Sequence, residues 1–127
     1  MRAISKAAQK TFDKIIADLE PGASKKLDNS EGTYMALSVD RLTEDRFSMA
    51  HYFEQNGDLC PDPDMEFWRG PDGRIYPVNI TQAFGGFRKV ITFGADGKPE
   101  SFSPRGQREL AVFAAMWLKN IKHQQSV

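Results

Sequence analysis

Apolar residues recur along this chain first with a helical period, then with a strand period, then with a helical period again. Ile4, Ala8, Phe12, Ile15 and Leu19 return every three or four residues, while Lys6, Lys10, Asp13, Lys14 and Asp18 fall elsewhere. That spacing predicts an amphipathic helix over 4–19. Ser5 can cap its start, and Pro21-Gly22 stops it. From there the period is two. A short strand is expected at 25–28, followed by a turn through Asn29, Ser30, Glu31 and Gly32. A strand over 33–42 sets Met35, Leu37 and Val39 on one face and Ala36, Ser38 and Asp40 on the other. Thr43-Glu44-Asp45 turns into a third strand, 46–54, with Phe47, Met49, His51 and Phe53 sharing a face.

The stretch from His51 to Trp68 organises the rest. Asn56-Gly57, then Pro61 and Pro63, read as an acidic, proline-stiffened connection leading to a fourth strand from about Asp64 to Arg69. Gly70-Pro71-Asp72-Gly73 is a hairpin turn into a strand over 74–84. Pro77 cannot donate to a ladder, which puts that strand at an edge or a bulge. Gly85-Gly86 breaks the chain before another strand, 87–93, and Asp96-Gly97 turns into a short segment near 99–102. Ser103-Pro104 then reads as cap and first position of a last helix, 104–123. Its stripe is Leu110, Phe113, Ala114, Trp117, Leu118 and Ile121, with Lys119, Lys122 and His123 suited to its C-terminal dipole. The expected fold is a single α+β domain over 1–127. It has an N-terminal helix, five to seven mostly antiparallel strands and a C-terminal helix, with both helices packed on one face of the sheet.

Length and charge narrow the function classes. A chain of 127 residues can bury one real core without staples. Seventeen basic and seventeen acidic residues cancel, which argues against wholesale capture of nucleic acid or anionic membrane. The cancellation is uneven. Residues 1–46 hold eight bases and eight acids, residues 47–68 five acids and no base, and residues 69–127 nine bases and four acids. A mixed, soluble surface accounts for such a split as well as a field aimed at a partner does. The lone Cys60 excludes an internal disulfide and any multi-cysteine zinc site, and fits a reducing compartment. No apolar run approaches a membrane span and the N-terminus lacks a secretory core, so a cytoplasmic protein is expected.

Glu54, Asp58, Asp62, Asp64 and Glu66 are the candidate partner-binding set. Asp62-x-Asp64-x-Glu66 would put three carboxylates on one side of a strand, as a hard cation wants. The spacing fits no calcium loop, however, and a solvated acidic hairpin explains the same residues. No metal and no cofactor are expected. His51 and Glu54, three apart on a strand, point to opposite faces, so His51 reads as a satisfied core histidine. A Cys60–His51 or Cys60–His123 pair lacks an orienting group, and no catalytic residue is assigned. Gly94-Ala95-Asp96-Gly97-Lys98 continues into Pro99 and is a turn, not a phosphate loop. Arg105, Arg108, Lys119 and Lys122 give the last helix a basic side, a secondary candidate surface that ordinary solubility also explains.

Several segments are familiar together: Met35-Ala36-Leu37-Ser38-Val39-Asp40, His51-Tyr52-Phe53-Glu54-Gln55-Asn56-Gly57-Asp58-Leu59, Asp62-Pro63-Asp64-Met65, and Phe113-Ala114 with Trp117 to Lys122. With them the chain resembles small uncharacterised proteins of gut bacteria and their phages and plasmids, a group thought to include a type II anti-CRISPR inhibitor. The resemblance spans most of the chain. It implies a bacterial cytoplasmic protein, not an enzyme, that inhibits a type II CRISPR effector nuclease by direct binding. Such effectors hold nucleic acid in positively charged channels, where carboxylates can stand in for phosphates. Full mimicry of DNA needs a strongly acidic chain, which this is not; a local version would use the acidic hairpin. The alternatives are a small mobile-element module with another partner, or a carboxylate metal-binding protein.

Overall fold

A computed structural model of the chain describes residues 1–29 and 35–127. The elements run α1 (Lys6–Ile16), β1 (Ser24–Leu27), β2 (Leu37–Arg41), β3 (Arg46–Gln55), β4 (Asp58–Arg69), β5 (Ile75–Gln82), β6 (Gly86–Lys89), β7 (Ile91–Phe93), β8 (Pro99–Phe102) and α2 (Pro104–Gln125). The first six strands form one antiparallel sheet in sequence order, and β7 and β8 pair as a separate two-stranded sheet. Ser30, Glu31 and Gly32 of the expected turn, and Thr33 and Tyr34 of the expected second strand, lie outside the described residues.

Both helices cover one face of the sheet. Phe12 of α1 is fully buried and meets Phe47 and Phe67 edge-on, at ring-centre distances of 5.3 and 5.2 Å. Trp117 of α2 meets His51, which shares its face of β3 with Phe47. Burying each such large apolar side chain contributes about 1.5–3 kcal/mol relative to leaving it exposed. A single cluster of buried residues links α1, the sheet, β7 and α2.

The helix ends follow local chemistry. Ser5 caps α1 by accepting from the Ala8 N–H, and Ser103 caps α2 by accepting from Gly106, with Pro104 at the first helical position. Ile4 and Leu19 are buried but lie outside the helix, which is shorter than its apolar stripe; the Ile4 N–H donates instead to the Ile75 carbonyl. Two polar side chains then pin the ends of the chain. Gln107, 1% exposed, both donates to and accepts from the backbone of Arg2. Gln125, 0% exposed, accepts from the Asn29 N–H and donates to the Met35 carbonyl.

Three expectations change. The acidic connection is not a loop. Asn56 and Gly57 both have positive φ, 55° and 85°, and so close a two-residue turn that lets β4 start at Asp58. Pro61 and Pro63 therefore lie within the strand, and the Asp62–Pro63 peptide is cis. They precede Asp64, the first β4 residue paired with β5, so their missing N–H groups leave no gap between two strands. Second, the strand expected over 87–93 divides at the buried Val90. The Val90 N–H holds β5 through the Val78 carbonyl, and β7 then swings away to place Phe93 against Trp68 on the face opposite the helices. Third, Met35 is 41% exposed and outside β2, so it does not continue the buried row of Leu37 and Val39. Pro77 does sit where β5 shifts register against β4, and β6 reaches only as far as Asn79.

Candidate functional site

β3 and β4 outrun their neighbours. The last β2 pair is Leu37 with His51, and the first β5 pair is Asp64 with Thr81. Beyond these, among the described residues, Tyr52–Gln55 and Asp58–Pro61 pair only with each other, making a two-stranded arm tipped by Asn56-Gly57. At about 3.3 Å per residue, four residues carry the tip roughly 13 Å past the sheet. Glu54 and Asp58 are exposed on this arm, and Leu59 is 73% exposed at its end. At the same end of the sheet the β5–β6 turn presents Phe84, 91% exposed, and β6 presents Phe87, 63% exposed. The site is thus acidic with apolar tips.

The five acids do not form one group. Glu54 and Asp58 belong to the arm, and Asp62 sits at its root, where the β3–β4 register shifts opposite His51. Asp64 and Glu66 lie in the body of the sheet, on the face away from the helices. Glu66 is neutralised there by Arg46 across the strand pair, and the Arg46 guanidinium also stacks over Phe93 at 4.0 Å. Burial lowers the proton affinity of that guanidinium, with Asp45 acting against the shift. Asp64 accepts from Ser48 Oγ at 3.3 Å. Burial raises its pKa above the ordinary carboxylate value, and Asp40 on β2 pushes the same way while the Ser48 bond opposes. Tyr52 titrates above its ordinary value, first from burial and then from the Asp64 and Asp40 charges. These four therefore gather on one polar patch of the open sheet face. Among the described residues no three histidine, cysteine or acidic side chains are arranged to hold a metal ion. The register shift at Asp62 breaks the alternation that would have aligned it with Asp64 and Glu66.

His51 is a core residue, 7% exposed, but only half satisfied. Trp117 Nε1 donates to its Nδ1 at 3.3 Å, which puts the proton of the neutral ring on Nε2, and Nε2 is buried with no partner among the described residues. Burial pushes its pKa below 6.5. Cys60, half-buried, pairs across the arm with Phe53 rather than His51, so no thiol–imidazole pair forms there.

The four basic residues of the second candidate surface all lie on α2 but in different surroundings. Arg105 is engaged by Glu109, which also takes Arg88; these bonds hold the Glu109 carboxyl below the ordinary range. Arg108, Lys119 and Lys122 are exposed and make no ion pair among the described residues. Lys119 and Lys122 line a groove between α1 and α2, whereas Arg105 and Arg108 flank Val112 toward Arg2. The exposed Leu59, Phe84, Phe87 and Met116 were not singled out by sequence periodicity. Phe84 beside Gly85-Gly86 is the one with a readable signal, an aromatic in a turn where nothing can bury it.

Among the described residues no helix is long and apolar enough to cross a membrane. No curated protein and no solved structure matches the chain. A family model does match over residues 7–127, nearly the whole length, and the chain belongs to that family, described as a domain of unknown function, DUF6908.

Proposed function

We propose that this protein acts by docking: its acidic, apolar-tipped β3–β4 arm inserts into a basic groove of a partner protein. The observation that carries this is the arm itself. A two-stranded ribbon is marginal in water on its own, yet here one projects past the strands paired with it among the described residues, with Glu54, Asp58 and Leu59 exposed and no Lys or Arg from Phe47 to Trp68. Carboxylates would steer the encounter with a cationic surface, and Leu59 would anchor it once water is excluded.

The partner to test first is the one the sequence resemblance implies, a type II RNA-guided DNA endonuclease, whose nucleic-acid channels are basic. The protein would then be an anti-CRISPR inhibitor without catalytic residues of its own. The test is target cleavage by a guide-loaded effector, with the protein added before or after target DNA. Loss of cleavage near equimolar protein is expected, relieved by joint replacement of Glu54, Asp58 and Leu59 with alanine. Glu66→Ala is a poor probe, because it would strand the partly buried Arg46. Full cleavage across effector subtypes sinks the nuclease reading. Retrieval of another protein by the wild type, but not by the triple variant, would then reassign the arm.

A further inference from the structure

The groove between α1 and α2 has a volume of about 550 Å³. Its floor is small and apolar, from Ala8 and Ala115, with Met116 standing 55% exposed at its side. Its rim is cationic, from Lys119 and Lys122, with His123 beside them. Among the described residues neither lysine is in an ion pair. The one acid of α1, Asp13, is bound to Arg69 at 2.8 Å, and the one acid of α2, Glu109, is shared by Arg88 and Arg105. A groove with an apolar floor and a basic rim wants a ligand with an apolar tip and carboxylates. The same chain displays that ligand, in Leu59 flanked by Asp58 and Glu54 at the end of the β3–β4 arm.

We infer that the α1–α2 groove receives the β3–β4 arm of a second copy of this chain, so that the protein self-associates and its arms are sheathed until a stronger basic surface competes for them. This rests on reading the arm as a docking element. The groove lies in the size range of sites that enclose a drug-sized group, sufficient for Leu59 and the turn beside it. Formal net charge is zero, so no long-range self-repulsion opposes the approach. Each chain carries one arm and one groove, and reciprocal exchange closes a two-fold dimer. A single arm buries little area, so association is weak and salt-sensitive.

Sedimentation velocity of the full chain, across a concentration series, tests this. Association is expected at about 50 mM salt and should weaken about tenfold or more at about 500 mM. Lys119→Glu with Lys122→Glu should be monomeric, as should Glu54→Lys with Asp58→Lys, and an equal mixture of the two variants should associate again. All four positions are exposed, so circular dichroism should show the fold unchanged. A monomeric wild type at every concentration overturns the inference, as does self-association that survives the groove reversal. Because the groove variant keeps the arm intact, it should still act on the partner protein. Failure of self-association is thereby separable from failure of the docking function.

Discussion

Acidifying this protein from about pH 7.5 to about 5.0 should cost it stability through one residue, His51. In the fold its Nδ1 accepts from Trp117 and its ring is buried, both of which favour the neutral form. No charged group of β2, β4 or α2 contributes to the shift, whose cause is burial. The unfolded chain therefore takes the proton first, as pH falls through 6.5, and stability that is full above that value is lost below it. If the folded ring stays neutral to about pH 5.0, integrating from about 7.5 gives a loss of roughly 2 kcal/mol, which is the ceiling. Protonation inside the fold would limit the loss, at the cost of opposing the Trp117 N–H with a second donor. The assay is urea denaturation at several pH values on the wild type and on His51→Asn, whose amide oxygen stands near the place of Nδ1 and does not titrate. The variant is less stable throughout, since it fills less volume, but its stability should fall less across the window. Parallel profiles for wild type and His51→Asn would refute the reasoning.

Two structural substitutions complete the test of the fold. Phe12→Ala removes the ring that α1 places between Phe47 and Phe67, and should cost about 3–5 kcal/mol, read as a lower denaturation midpoint with unchanged slope; a cost under about 1 kcal/mol would mean α1 is not docked there. Gln125→Ala leaves the Asn29 N–H and Met35 carbonyl without their shared partner and should cost about 1–3 kcal/mol, with hydrogen exchange at Asn29 rising; unchanged exchange would place that bond elsewhere.

Much of the architecture was legible in the chain because it rests on local signals. Two helical stripes at the ends, period-two runs between them, and caps at Ser5 and Ser103 determine an α+β fold with helix, strands and helix in that order. The charge division is also a property of the sequence, since no Lys or Arg lies between Arg46 and Arg69. Pairing is not local. Whether β4 begins at Asp58 or Asp64 depends on whether β3 reaches across the Asn56-Gly57 turn to meet it, and prolines that read as a loop become acceptable once no strand lies on the far side. That pairing divides the acids into exposed arm, root, and a sheet body where Arg46 cancels Glu66. Tertiary packing likewise decided that Lys119 and Lys122 face a groove with α1, because a helix's period shows which residues share a side but not what lies against it. Composition alone determined the charges; only the fold decided which of them meet an opposite charge inside the molecule and which stand exposed on its surface.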